Sequence, residues 1–101
     1  LDCVIVDEDL LALSNLAPFE RVLIVDNTNG ARVETFVVKG RKGSGELIVS
    51  GAAAHNVHAG DEIIIMAFTW SEQTSGLFKN ILVDHENKFV RYLAEVHGDT
   101  T

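Results

Sequence analysis

Ser50-Gly51-Ala52-Ala53-Ala54-His55, followed beyond residues 56–59 by Gly60-Asp61, separates two β-rich runs, Glu46-Leu47-Ile48-Val49 and Glu62-Ile63-Ile64-Ile65-Met66. Consecutive residues with little or no side chain let backbone amides approach a ligand or another backbone, and Gly51 is free to take a positive φ. A small-residue turn entering a short helix is expected, with free N–H groups suited to an anionic group. Close packing at a barrel corner would use the same residues, so the stretch alone leaves both a cradle and a corner open.

Working outward, the chain alternates short apolar runs with turn signals. Cys3-Val4-Ile5-Val6 reads as a strand, and Asp7-Glu8-Asp9 supplies an N-cap and an acidic first turn for a helix over residues 10–16, closed by Pro18. Residues 21–26 form a strand, and Asn27-Thr28-Asn29-Gly30 carries the Asn-Gly pair of a tight hairpin. The returning strand, 31–38, alternates, which sets Arg32, Glu34 and Phe36 on one face and Val33, Thr35 and Val37 on the other. Residues 39–45 hold glycines and cations but lack the Gly-Lys-Ser/Thr ending of a phosphate loop, so a solvated hairpin turn is expected. Strands follow at 46–49, 62–68 and 80–84, with turns at 57–61 and 84–87 and an exposed loop at 69–79. In that loop Trp70 is expected to have a partly exposed ring, suited to covering a pocket or a subunit contact. The tail from Lys88 begins apolar and ends polar, and its end is expected to be mobile. About six short strands with one or two short helices favour a small closed β-barrel, since closure removes exposed edges.

Composition narrows the function classes. The chain has 101 residues, enough for one domain and one core, and 47% of them are hydrophobic. Eight basic residues against fifteen acidic ones give a net charge of −7, which argues against nucleic acid as a partner. No apolar run is long enough to cross a bilayer and no signal peptide opens the chain, so the cytoplasm is the expected compartment and a membrane is not a partner. The single cysteine excludes an internal disulfide, and no Cys/His spacing of the zinc type is present. The chain opens without Met and already inside a strand-like run, so an amino-terminal piece is expected to have been removed, left out, or made a separate chain.

Asn29-Gly30-x-Arg32-x-x-Thr35, Gly51-Ala52-Ala53-Ala54-His55, Gly60-Asp61 and Val83-Asp84-x-x-Asn87, in that order, resemble the longer product chain of the aspartate 1-decarboxylases over nearly the whole sequence. The resemblance implies a mainly β fold, a six-stranded double-psi β-barrel, in a homotetramer with active sites between subunits. It also implies that a precursor cuts itself at a Gly-Ser bond and turns the Ser into a pyruvoyl group. That carbonyl binds the amine of aspartate and accepts electrons as CO₂ leaves, giving β-alanine.

Aligning Val6-Asp7-x-Asp9-Leu10 places Cys3 at the family Ser and Asp2 at its Gly. A thiol can also undergo the acyl shift, and the thioester can eliminate to dehydroalanine, so the expected cofactor is a pyruvoyl group derived from Cys3 where processing occurs. Asp2, with a Cβ, accepts a strained backbone less readily than Gly. Phe36 stands at the position of the family's proton-donating Tyr and has no proton to give. Ser50 replaces an Asn. Arg32 matches the residue that pairs with a substrate carboxylate, a task that suits its planar fork, and Thr35 matches as well. The implied substrate-binding set is Arg32, Thr35, Ser50, Gly51, Ala52 and Ala53, and the implied ligand is a small amino acid or carboxylate. The family's amino-terminal piece, with a Lys and a His of the site, is missing from this sequence, and Lys88-Phe89-Val90-Arg91 distantly matches its opening and would fill the same strand position.

Blander roles compete at each position. Exposed Arg is common on strands, so Arg32 becomes a ligand only through the resemblance. Cys3 is either an inert buried thiol or a reactive one. His55 is expected to pack and cap the small-residue turn, and His58, His85 and His97 to be solvated or structural. The alternatives to a decarboxylase are a relative that kept the barrel without the carbonyl, for other chemistry or as a binding subunit, and a barrel domain excised from a larger protein.

Overall fold

The computed structural model describes residues 2–68 and 80–93. The expectations for the 69–79 loop with Trp70 and for the end of the tail with His97 lie outside the described residues. Five strands, β1 (Cys3–Asp7), β2 (Arg21–Asp26), β3 (Arg32–Gly40), β4 (Leu47–Ser50) and β5 (Ile63–Met66), form one sheet in the order β4-β1-β3-β2-β5. A second, two-stranded sheet pairs β6 (Ile81–Val83) with β7 (Phe89–Tyr92). The helical elements are α1 (Glu8–Ser14) and a 3₁₀ helix, Gly51–His55. The architecture is mainly β, as expected, and its strand order suits a barrel. Among the described residues β4 and β5 end the order without pairing to each other.

β1 is the inner strand on which the sheet is built. It runs parallel to β3 (Val4 opposite Val37) and antiparallel to β4 (Val4 opposite Val49). Covered on both sides, it reads as an unbroken apolar run, and Cys3, Val4, Val6 and Asp7 are all buried. The core joins Val4 and Val6 to Leu10, Leu11, Val22, Ile24, Val37 and Val57. Burying each such aliphatic side chain contributes about 1.5–3 kcal/mol.

The sheet order corrects the expectation for residues 39–45. β3 and β4 lie on opposite sides of β1, so their connection is not a hairpin turn; it passes across the end of β1, leaving a third strand hydrogen-bonded between the two it joins. The reason lies at Asp7, 2% exposed, whose carboxylate accepts from the backbone amides of Gly43 (2.9 Å), Gly45 (2.8 Å) and Asp9 (2.8 Å). One side chain therefore caps α1 and holds the crossing loop. Gly45, at φ +72°, also lies so close to the Glu86 carbonyl that a Cβ there would collide with it. The β6–β7 pair is tied to the same loop, since Asn87 Nδ2 donates to the Gly45 carbonyl (3.1 Å) and Lys88 Nζ to that of Gly43.

Smaller departures have local causes. α1 runs from Glu8 to Ser14, two residues earlier at each end than the expected 10–16, with Asp7 as the N-cap and Asn15, not Pro18, closing it. Asn15 takes the left-handed conformation (φ 62°), and the Leu16 amide returns to the Leu11 carbonyl at 2.9 Å. The β2–β3 hairpin is present, with a wider loop than a two-residue Asn-Gly turn. Asp26 organises it by accepting from the amides of Thr28 and Asn29. Residues 89–92 form β7 against β6, so among the described residues they do not take a strand position in the five-stranded sheet.

Burial alone would raise the Asp7 carboxyl, but the Gly45, Asp9 and Gly43 amides and nearby Lys88 outweigh it and hold the group below the usual carboxylate range. A depressed folded-state value contributes stability above the unfolded pKa that is lost as pH falls through the folded one. Asp7→Asn keeps one acceptor oxygen and turns an N–H₂ toward the loop amides. Denaturant unfolding of Asp7→Asn at neutral pH should show a loss of about 2–3 kcal/mol, the scale of buried donors left unpaired. Its deficit relative to the parent should shrink as both are acidified.

Candidate functional site

Of the residues singled out in the sequence, Cys3, Ser50 and the Gly51–Ala53 turn meet at the start of β1. Cys3 is its first residue, 4% exposed, and pairs with Ser50, the last residue of β4. Gly51 then takes φ +79°, and the chain enters the expected short helix with no side-chain cap from Ser50. The turn brings the buried Ala53 back toward the strand, where its amide donates to Asp2 Oδ1 at 3.1 Å. On the other side of β1 the register pairs Val4 with Val37. Continued by one and two residues, that register sets Phe36 and Thr35 alongside Cys3 and Asp2. The Asp2–Cys3 peptide bond therefore lies between the small-residue turn and the middle of β3.

The strand alternation read from the sequence holds, and it splits the candidate set. Thr35 faces inward, 3% exposed, and its Oγ1 has no hydrogen-bond partner among the described residues. Arg32 and Phe36 face outward on the same strand, and Phe36 is 51% exposed. Arg32 stands near the hairpin end, opposite Val25, and among the described residues no carboxylate pairs with it, whereas Arg21 bridges to Glu34 at 2.5 Å. A groove of about 370 Å³, lined by Arg21, Val22, Leu23, Glu34 and Phe68, includes none of the candidate residues. The converging backbone and the buried thiol and hydroxyl locate the chemistry better than this open groove does.

The histidines divide. His55 ends the 3₁₀ helix but is exposed, so it does not pack as expected. His58 Nδ1 lies 3.7 Å from Asp61 Oδ2, and His85 is exposed. Among the described residues no group of three metal-ligating side chains occurs, and no helix is long and apolar enough to cross a membrane. Sequence reasoning missed the Asp2 contact with Ala53, because it joins residues far apart in the chain. It also missed the buried Asp26 and the half-buried Asp61 beyond the neighbouring strand, of which only the Gly60-Asp61 signal was visible.

Chemically, this end of β1 places a buried thiol next to the carbonyl of its own preceding residue, with the hydroxyls of Thr35 and Ser50 on the flanking strands.

Comparison with known proteins identifies a family. The family model for aspartate decarboxylase matches residues 2–90. An aspartate 1-decarboxylase of Porphyromonas gingivalis is 54% identical over 65 residues, covering 64% of this chain and 55% of the relative. Enzymes of the same name from Acetivibrio thermocellus and Caldicellulosiruptor bescii are 41% and 44% identical, covering 93% and 85% of this chain and 78% and 70% of theirs. With a family model that matches residues 2–90 and relatives more than 40% identical over most of its length, the chain belongs to the aspartate decarboxylase family.

Proposed function

We propose that this chain is a pyruvoyl-dependent decarboxylase that removes the α-carboxylate of L-aspartate to give β-alanine. The observation that carries the proposal is the meeting of Cys3, Thr35 and the Ser50–Ala53 turn at the Asp2–Cys3 peptide bond, inside a family match that spans both motif segments. The residues fit the group they would generate. Cys3 is shielded from water, and the buried Thr35 hydroxyl has no hydrogen-bond partner among the described residues. A pyruvoyl carbonyl formed from Cys3 supplies an electron sink for a substrate amine.

The remaining work falls to this chain's side chains and amides. Arg32 clamps a substrate carboxylate with two parallel hydrogen bonds. The Gly51, Ala52 and Ala53 backbone approaches the ligand closely because no side chain intervenes. Thr35 orients the reacting end, and Ser50 adds a short hydroxyl beside it. Phe36 supplies an apolar wall and leaves protonation of the product carbon to another group.

An outward Arg32 and an inward Thr35 serve one chemistry most simply in a homotetramer with sites between subunits, in a closed six-stranded double-psi barrel of a single domain. The exposed Phe36, Ile64 and Phe68 near this face support such a contact. The cytoplasm is the compartment we assign. A barrel that kept the scaffold without the carbonyl is not favoured, since the relatives named above are all aspartate 1-decarboxylases.

Intact-mass measurement should find two chains, the larger beginning at position three with a pyruvoyl carbonyl in place of Cys3 that hydroxylamine modifies. A single unbroken mass with no adduct refutes the proposal. Arg32→Ala should raise KM for aspartate by about 10–100-fold, the range for a lost charge-assisted hydrogen bond, with a smaller change in kcat. Phe36→Tyr restores a phenol at the donor position, and single-turnover kinetics should show a chemical step faster by about a hundredfold, the lower end of the general-acid range.

A further inference from the structure

Away from the β1 site, the loop end of β2 buries a second carboxyl group in a different way. Asp26 is 0% exposed. Its Oδ1 accepts from the amides of Thr28 (2.9 Å) and Asn29 (3.3 Å), while Oδ2 is sealed from solvent with no donor among the described residues. An ionised carboxylate there would hold charge on an oxygen that nothing compensates. A protonated one turns the same oxygen into a donor; Asp26 pairs with Ile63 and the Asn27 amide donates to the Glu62 carbonyl, which brings the adjoining Asp61 carboxylate to this edge as its acceptor. Asp61 is suited to remain the charged partner, because its Oδ2 accepts from the His58 amide at 2.9 Å and faces His58 Nδ1.

We propose that Asp26 and Asp61 share one proton, with Asp26 as the acid donating from Oδ2 to the Asp61 carboxylate, and that this bond latches the β2–β3 turn to the loop behind the Gly51–His55 helix. The neighbouring contacts show what the latch holds. Asn29 Nδ2 donates to the Asn56 carbonyl (2.8 Å), the Glu62 amide to Thr28 Oγ1 (2.9 Å), and the Asn27 amide to the Glu62 carbonyl (2.8 Å). One side of the latch opens into β3 and Arg32, and the other follows the small-residue turn, so the bond positions both halves of the candidate site without touching substrate. It does not depend on the reaction proposed at Cys3.

The surrounding charges agree. Burial and then the Asp61 carboxyl push Asp26 above the usual carboxylate range, against the pull of the Thr28 and Asn29 amides. Asp61 is lowered by the hydrogen bond from Asp26 and then by the His58 amide. Around the pair, His58 stands on the Asp61 loop, and Glu62 at the entry to β5 holds Asn27 Nδ2 at 3.2 Å. β3 contributes Arg32, opposite Val25, and the 3₁₀ helix contributes the exposed His55. The two carboxyls titrate as one coupled system.

For an acid whose folded-state value is raised, the stabilisation is complete below the unfolded pKa and is lost as pH rises through the folded one. Asp26→Asn separates this effect from every other titration in the protein. Its Nδ2–H donates to Asp61 at all pH values, and its Oδ1 still accepts from the turn amides. Thermal unfolding should show the parent losing Tm relative to Asp26→Asn as pH rises out of the acid range, ending several degrees below it. Carboxyl carbon NMR of the parent should show two coupled steps, one above and one below ordinary aspartate. Parallel pH profiles for parent and variant overturn the proposal, as do two carboxyls titrating together in the ordinary range. The NMR measurement decides the matter by itself if Asp26→Asn does not fold.

Discussion

A single buried carboxylate, that of Asp7, holds the molecule's topology in place. It ends β1, caps α1 through the Asp9 amide, and draws the Gly43 and Gly45 amides over the end of the strand. Without an anion at that point the Gly43 and Gly45 amides would lose their acceptor, and the loop that joins β3 to β4 across the end of β1 would lose its anchor. The β6–β7 pair depends on the same loop, because it is tied to the Gly43 and Gly45 carbonyls.

The two ends of β1 divide the work of the protein. Asp7 fastens the carboxyl end, and Cys3 at the amino end lies between β4 and β3, where a small-residue turn brings the backbone close. A strand buried on both faces is a rigid mount, and a reacting group needs its neighbours held to fractions of an ångström. The chemistry proposed at Cys3 and the crossing loop at Asp7 are therefore consequences of one central strand.

Two buried aspartates also show how environment decides charge. Asp7 meets only donors and stays ionised; Asp26 meets two amides on one oxygen and another carboxyl near the second, which favours a proton there. Neither sequence context distinguishes them, since each is an acid following an apolar strand, Val6-Asp7 and Val25-Asp26.

Much of the fold and part of the site were legible in the chain itself. The alternation along β3 assigned Thr35 and Arg32 to opposite faces, Asp7-Glu8-Asp9 located the start of α1, and the run from Ser50 to His55 identified the turn beside the candidate site, because each of these signals is local. Only the tertiary structure decided that residues 39–45 cross a strand end, that residues 89–92 pair with β6, and that Asp2 meets Ala53. Strand order and buried polar partnerships join residues far apart in sequence, and short-range periodicity carries no information about which distant donor will satisfy a given acceptor.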